Sequence, residues 1–102
     1  MSFEFGALDA ALTAAVGDDP SMISELRSAF LDSAYRQVDL LQRARCDANW
    51  QFAAWRLKGL AASFGVVSVL TLADEAAISV PSDPVILKKL KTALAAIEEF
   101  RD

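Results

Sequence analysis

The sequence predicts an all-α fold, an up-and-down antiparallel four-helix bundle with a short additional N-terminal helix. Three observations carry that expectation. Alanine and leucine dominate long segments whose apolar residues recur every three or four positions. Glycine and proline number only four and three in 102 residues and stand where helices should begin or end. The links between segments are a few residues each, which favours antiparallel neighbours.

Leu8, Leu12 and Val16 recur every four residues and Gly17 follows in the place of a C-cap, so a short first helix is expected over residues 7–16. Asp19-Pro20 then supplies an N-cap followed by proline at the first helical position. From there Ile23, Leu26, Phe30, Ala34, Val38 and Leu41 step by three or four along a long amphipathic helix reaching about Arg45. Arg43 and Arg45 suit the negative pole of its dipole as solvated charges. Asp47 is the expected N-cap of a third helix, running from Ala48 to Ser63 or Phe64 and stopping before Gly65. Val66, Val69, Leu70, Ala73, Ala76 and Ala77 keep helical spacing in a fourth segment that ends before Pro81. Asp83-Pro84 repeats the cap-then-proline signal, and Ile86, Leu90, Leu94 and Ile97 form the stripe of a last helix. No internal repeat or composition shift divides the chain, so residues 1–102 read as one domain.

Composition narrows the function. With 54% hydrophobic and 24% charged residues, a chain of this length can bury roughly two-thirds of its unfolded surface and needs no disulfide or metal staple. Cys46 is the single cysteine and there is no histidine, so a transition-metal site has almost no ligands and no cofactor is expected. A net charge of −4 argues against nucleic acid and for a protein partner. The opening MSFEFGALDAAL lacks the form of a secretory signal, and no uncharged apolar run is as long as a membrane span, so a cytoplasmic protein without a membrane partner is expected. No Ser/His/Asp set, glycine-rich phosphate loop or carboxylate cluster suggests an enzyme; Asp74-Glu75 and Glu98-Glu99 read as solvated charges.

One residue breaks the pattern. With Trp55 at zero and about 100° per residue, Trp50, Ala53, Ala54, Leu57, Leu60, Ala61 and Phe64 fall between about 140° and 260°, the core face of the third helix. Trp55 lies at the opposite pole, with Gln51 and Ala62 on one side, Phe52 and Gly59 on the other, and Lys58 about 60° away. Burying a tryptophan removes about 150–250 Å² of largely apolar surface from water, so a tryptophan aimed at solvent calls for a cover. That cover is a partner protein, a neighbouring helix or a dimer mate. Glycine beside it costs a helix about 1 kcal/mol relative to alanine, which a close approach to the backbone would explain.

At these residues a family resemblance enters. Trp55-Arg56-Leu57-Lys58-Gly59, with Gly65 six residues after Gly59, resembles the His-x-Leu-Lys-Gly signature and second glycine of histidine-containing phosphotransfer (HPt) domains of phosphorelays. The helix order, the Asp18-Asp19-Pro20 approach to the second helix, the Phe30 stripe, and Leu70, Ala73 and Glu75 are also similar to that family over most of the chain. The resemblance implies a mid-helix histidine that exchanges a phosphoryl group with the aspartate of a receiver domain. Trp55 stands in that histidine's place. A neutral imidazole offers a lone pair to phosphorus, whereas the indole nitrogen is a donor only, so the chain cannot carry a phosphohistidine.

The resemblance leaves a docking face. It gives Lys58 a place beside the phosphoryl group and Gly59 the role of admitting the receiver; Arg56 adds a second cation. Leu31 and Tyr35 fall at about 140° and 180° from Leu26 on the second helix, away from a core stripe centred near 40°. They either join Gln51, Phe52, Trp55, Arg56, Lys58, Gly59 and Ala62 in a receiver-binding face or, for Leu31, pack under the N-terminal helix. The functional expectation is a non-catalytic adaptor or competitor that binds the receiver domain of a response regulator or hybrid histidine kinase. The alternative is a structural or dimerisation bundle that buries Trp55 in a homodimer. A weaker enzymatic reading has Gln51 orient a water toward a receiver's acyl phosphate.

Overall fold

The computed structural model describes residues 3–99, which are all-helical: five helices and no strand among the described residues. They are α1 (Phe3–Val16), α2 (Pro20–Arg43), α3 (Asp47–Phe64), α4 (Val67–Ala77) and α5 (Pro84–Glu98). α2 packs against α3, α3 against α4, α4 against α5, and α5 returns to α2, while α1 lies across α2 and α3. Leu8, Phe30, Leu41, Trp50, Leu57, Val69, Leu90 and Leu94 are fully buried members of one hydrophobic cluster drawn from all five helices. Phe30 of α2 meets Phe64 of α3 with ring centroids 5.1 Å apart and planes tilted by 50°, a favourable aromatic geometry.

The helix boundaries follow from local chemistry. Asp19 caps α2 by accepting from the backbone N–H of Ser21 and Met22 at 3.0 and 3.3 Å, with Pro20 in the first turn. α3 ends in a left-handed Gly65 (φ 70°); Val66 N–H returns to Ala61 O at 2.9 Å and Gly65 N–H to Ala62 O at 3.2 Å. This paired closure uses glycine because other residues pay a steric penalty there, and it turns the chain into α4 with Val66 wholly buried. Three expected details differ. α1 begins at Phe3, ahead of the expected start at residue 7, because that expectation rests on an apolar stripe whose first member is Leu8. The N-cap of α3 is Cys46, whose carbonyl accepts from Trp50 N–H; Asp47 is already the first helical residue, where its charge still suits the positive pole. α2 stops at Arg43, two residues short of Arg45, because Ala44 turns to extended backbone and buries its methyl.

Asp83 caps α5 by accepting from Val85 N–H at 3.0 Å and binds Ser79 Oγ at 2.9 Å. The Ser79 hydroxyl, then the Val85 N–H, hold its carboxyl below the usual carboxylate range. A depressed folded-state pKa contributes stability that is present above the unfolded value near 3.9 and is lost as pH falls through the lower folded value. The melting temperature of the wild type should therefore exceed that of Asp83→Asn at neutral pH, and the difference should shrink as pH falls below about 4. Thermal melts of both proteins across that range check this; a pH-independent difference would remove the charge from the account.

Candidate functional site

The outer ridge of α3 is the feature that internal packing leaves unexplained. The 100° rule places this helix correctly: Trp50, Ala53, Ala54, Leu57 and Ala61 are buried, Leu60 and Phe64 half-buried, and Gln51, Phe52, Trp55, Arg56, Lys58, Gly59 and Ala62 all exposed. Trp55 and Phe52 are each 59% exposed, one turn apart. A Cβ built on Gly59 meets nothing within 4 Å. No internal contact therefore requires glycine at this mid-helix position. Gly59→Ala should stabilise the free protein by about 0.5–1 kcal/mol, measured as a rise in the denaturation midpoint. A loss of stability instead would show that the backbone there needs glycine after all.

The two flanks of the ridge differ. On the α4 side, Lys58 Nζ pairs with Asp74 at 2.8 Å and Gln51 Nε2 donates to Ala77 O at 3.3 Å. Asp74 is thus an ion-pair partner rather than a purely solvated charge, and Gln51 spends its amide on the end of α4, which weighs against a water-orienting role. Trp50 reinforces that junction, donating Nε1–H to Ala76 O at 2.6 Å. Two neighbouring side chains of α3 thereby bond to carbonyls in the last turn of α4, where Ala76 O also accepts from Ser79 N–H at 3.0 Å. With both carboxylate and ammonium about half exposed, the Lys58 pair adds little to stability, but it occupies the cation that the HPt resemblance assigns to an incoming anion.

On the α2 side the flank is open. Arg56 lies over the Phe52 ring, 5.5 Å from its centroid. Beyond it, a groove of about 500 Å³ between α2 and α3 is lined by Ser33, Arg36, Gln37, Asp39, Leu40, Arg43, Arg56 and Leu60. Arg43 pairs with Asp39 at 2.9 Å, and Arg36 donates to Ser33 Oγ at 3.3 Å. In the sequence Arg43 reads as a solvated helix end and Arg36 carries no assigned role. The available signal was their seven-residue spacing, two turns on one face of α2.

Leu31 and Tyr35 do not join this face. Leu31 is wholly buried and Tyr35 half-buried against the core. Measured from Leu26, the buried residues of α2 span about 40° to 140°, so the buried arc centres near 90° rather than near 40°. Leu26, outside that arc, is only half-buried, while Arg27 lies near its middle and Val38 and Leu31 fill the far side. α2 touches α1, α3 and α5, and three neighbours require a wider buried arc than one stripe.

Among the described residues no helix is long and apolar enough to cross a membrane, and no group of three or more His, Cys, Asp or Glu side chains is placed to hold a metal ion. No protein-family model matches this chain, and comparison with curated proteins and solved structures found no match.

Proposed function

We propose that this chain is a non-catalytic, HPt-like adaptor of phosphorelay signalling that docks the receiver domain of a response regulator or hybrid kinase through the outer ridge of α3. In that reading α2 to α5 form an up-and-down antiparallel four-helix bundle, which their cyclic adjacency and short links support, and α1 is the additional helix. The location is cytoplasmic and the effect is competition or tethering, because a chain with no histidine cannot form the phosphohistidine through which such a relay passes.

The observation that carries the proposal is Trp55, held on the middle of a rigid helix, 59% exposed, beside a glycine with open space above it. An aromatic anchor with an approachable backbone next to it suits a tight central contact in an interface. The test is calorimetric titration of the protein with receiver domains of its own organism, with and without a phosphoryl mimic. Saturable binding to one receiver is the expected result, weakened about thirtyfold or more by Trp55→Ala and weakened also by Gly59→Ala, whose methyl would hold the partner off. No binding across the panel, together with a concentration-dependent mass that Trp55→Ala returns to monomer, would replace this reading with the dimerisation bundle, which the Trp55 and Phe52 pair would also serve.

A further inference from the structure

We infer that the groove between α2 and α3 recognises carboxylates, and that it receives an acidic polypeptide segment of the partner that covers Trp55. The inference rests on reading the α3 ridge as a docking surface, and adds where and by what chemistry the partner's charge is met. Three guanidinium groups, of Arg36, Arg43 and Arg56, line the groove against the single carboxylate of Asp39. Asp39 is taken by Arg43, and neither Arg36 nor Arg56 has an ion pair among the described residues. This cationic cluster stands on a protein of net charge −4, so it is a local field opposed to the global one.

Two further observations fix the kind of ligand. Gln37 lines the same groove, and its buried Oε1 accepts no hydrogen bond among the described residues. The covered Gln37 side chain must turn outward to be met, and a polypeptide, unlike a small oxyanion, then brings backbone N–H donors beside its carboxylates. Planar guanidinium groups also match carboxylates in paired hydrogen bonds. The groove is continuous with the aromatic ridge through Arg56, which stacks on Phe52 one turn from Trp55. Lys58 lies on the other flank, held by Asp74. The anion-directed cations of this surface are therefore Arg36 and Arg56.

The test uses the full chain and an acetylated, amidated peptide of alternating aspartate and glycine, about ten residues long, followed by backbone amide shifts at about 20 mM and about 0.5 M salt. Shifts centred on Arg36, Gln37, Arg43 and Arg56, suppressed by salt and weakened about tenfold or more in the Arg36→Ala/Arg56→Ala double variant, are expected. Both arginines carry exposed side chains, and a thermal melt confirms that the double variant folds. Shifts centred on Lys88, Lys89 and Lys91, or inorganic phosphate binding as tightly as the peptide, would overturn the inference. So would a self-associated mass that blocks the peptide, since the occupant would then be a second copy of this chain. Failure here is distinguishable from failure of the adaptor reading. Receiver binding lost in Trp55→Ala but indifferent to salt and to the arginine pair would sink the groove alone. Peptide binding without any receiver binding would sink the receiver and keep the groove.

Discussion

Trp50→Ala is expected to cost about 3–5 kcal/mol of unfolding free energy, the range for truncating a large aromatic in a close-packed core. Trp50 is 0% exposed and is the largest fully buried side chain among the described residues, so its removal leaves a cavity that the surrounding core must collapse to fill. A domain of this size is typically stable by only about 5–15 kcal/mol, so the variant should sit near the edge of folding. Trp50→Phe separates the two contributions. It keeps most of the ring volume but loses the N–H, and Ala76 O retains the Ser79 N–H at 3.0 Å, so a loss of about 1 kcal/mol is expected. Urea denaturation of the three proteins measures both. A loss under about 1 kcal/mol for Trp50→Ala would mean that the site collapses freely and that Trp50 does not organise the junction of α3 with α4.

Trp55→Ala should behave in the opposite way. Five residues along the same helix, this tryptophan is more than half exposed, so its truncation should change stability by no more than about 0.5 kcal/mol. Its effect belongs to binding. A central aromatic anchor contributes about 2 kcal/mol or more, so affinity for the receiver partner should fall about thirtyfold. The combination of unchanged denaturation midpoint and lost affinity is the signature sought. A Trp55→Ala variant destabilised as strongly as Trp50→Ala would show that the ring is a packing residue and would remove the anchor from the proposal.

Much of this was legible in the sequence because it is local. Asp19-Pro20, Gly65 and Asp83-Pro84 announce helix ends through side chains and backbone angles that act within a few residues. The opposed positions of Trp50 and Trp55 follow from 100° per residue on one helix. What the sequence left dark depends on how helices meet. Leu31 stays open between a docking face and a buried place in the sequence, and the structure buries it, because the buried arc of α2 is set by three neighbours, not by its own most regular stripe. The Lys58–Asp74 pair needs the register of α3 on α4, and the arginine groove needs Arg56 of α3 brought beside Arg36 and Arg43 of α2. Neither juxtaposition leaves a trace in the spacing along a single helix.

The hydrogen bonds from Trp50 and Gln51 to the end of α4 bear on entropy as well as geometry. They tie two helices joined by a two-residue corner, so the segment from Asp47 to Ala77 is a helical hairpin whose open ends, 26 residues apart in the chain, are bonded to each other. Such a unit closes with a small loop penalty, and the packing of α3 on α2 as well as on α4 holds its backbone in place. Trp55 rides on that unit. A molecule meeting the ridge would find the backbone beneath the indole already ordered, so its interaction energy would appear as affinity instead of being consumed in folding a loop or helix around it. The inward-facing tryptophan is, in this sense, what makes the outward-facing one usable.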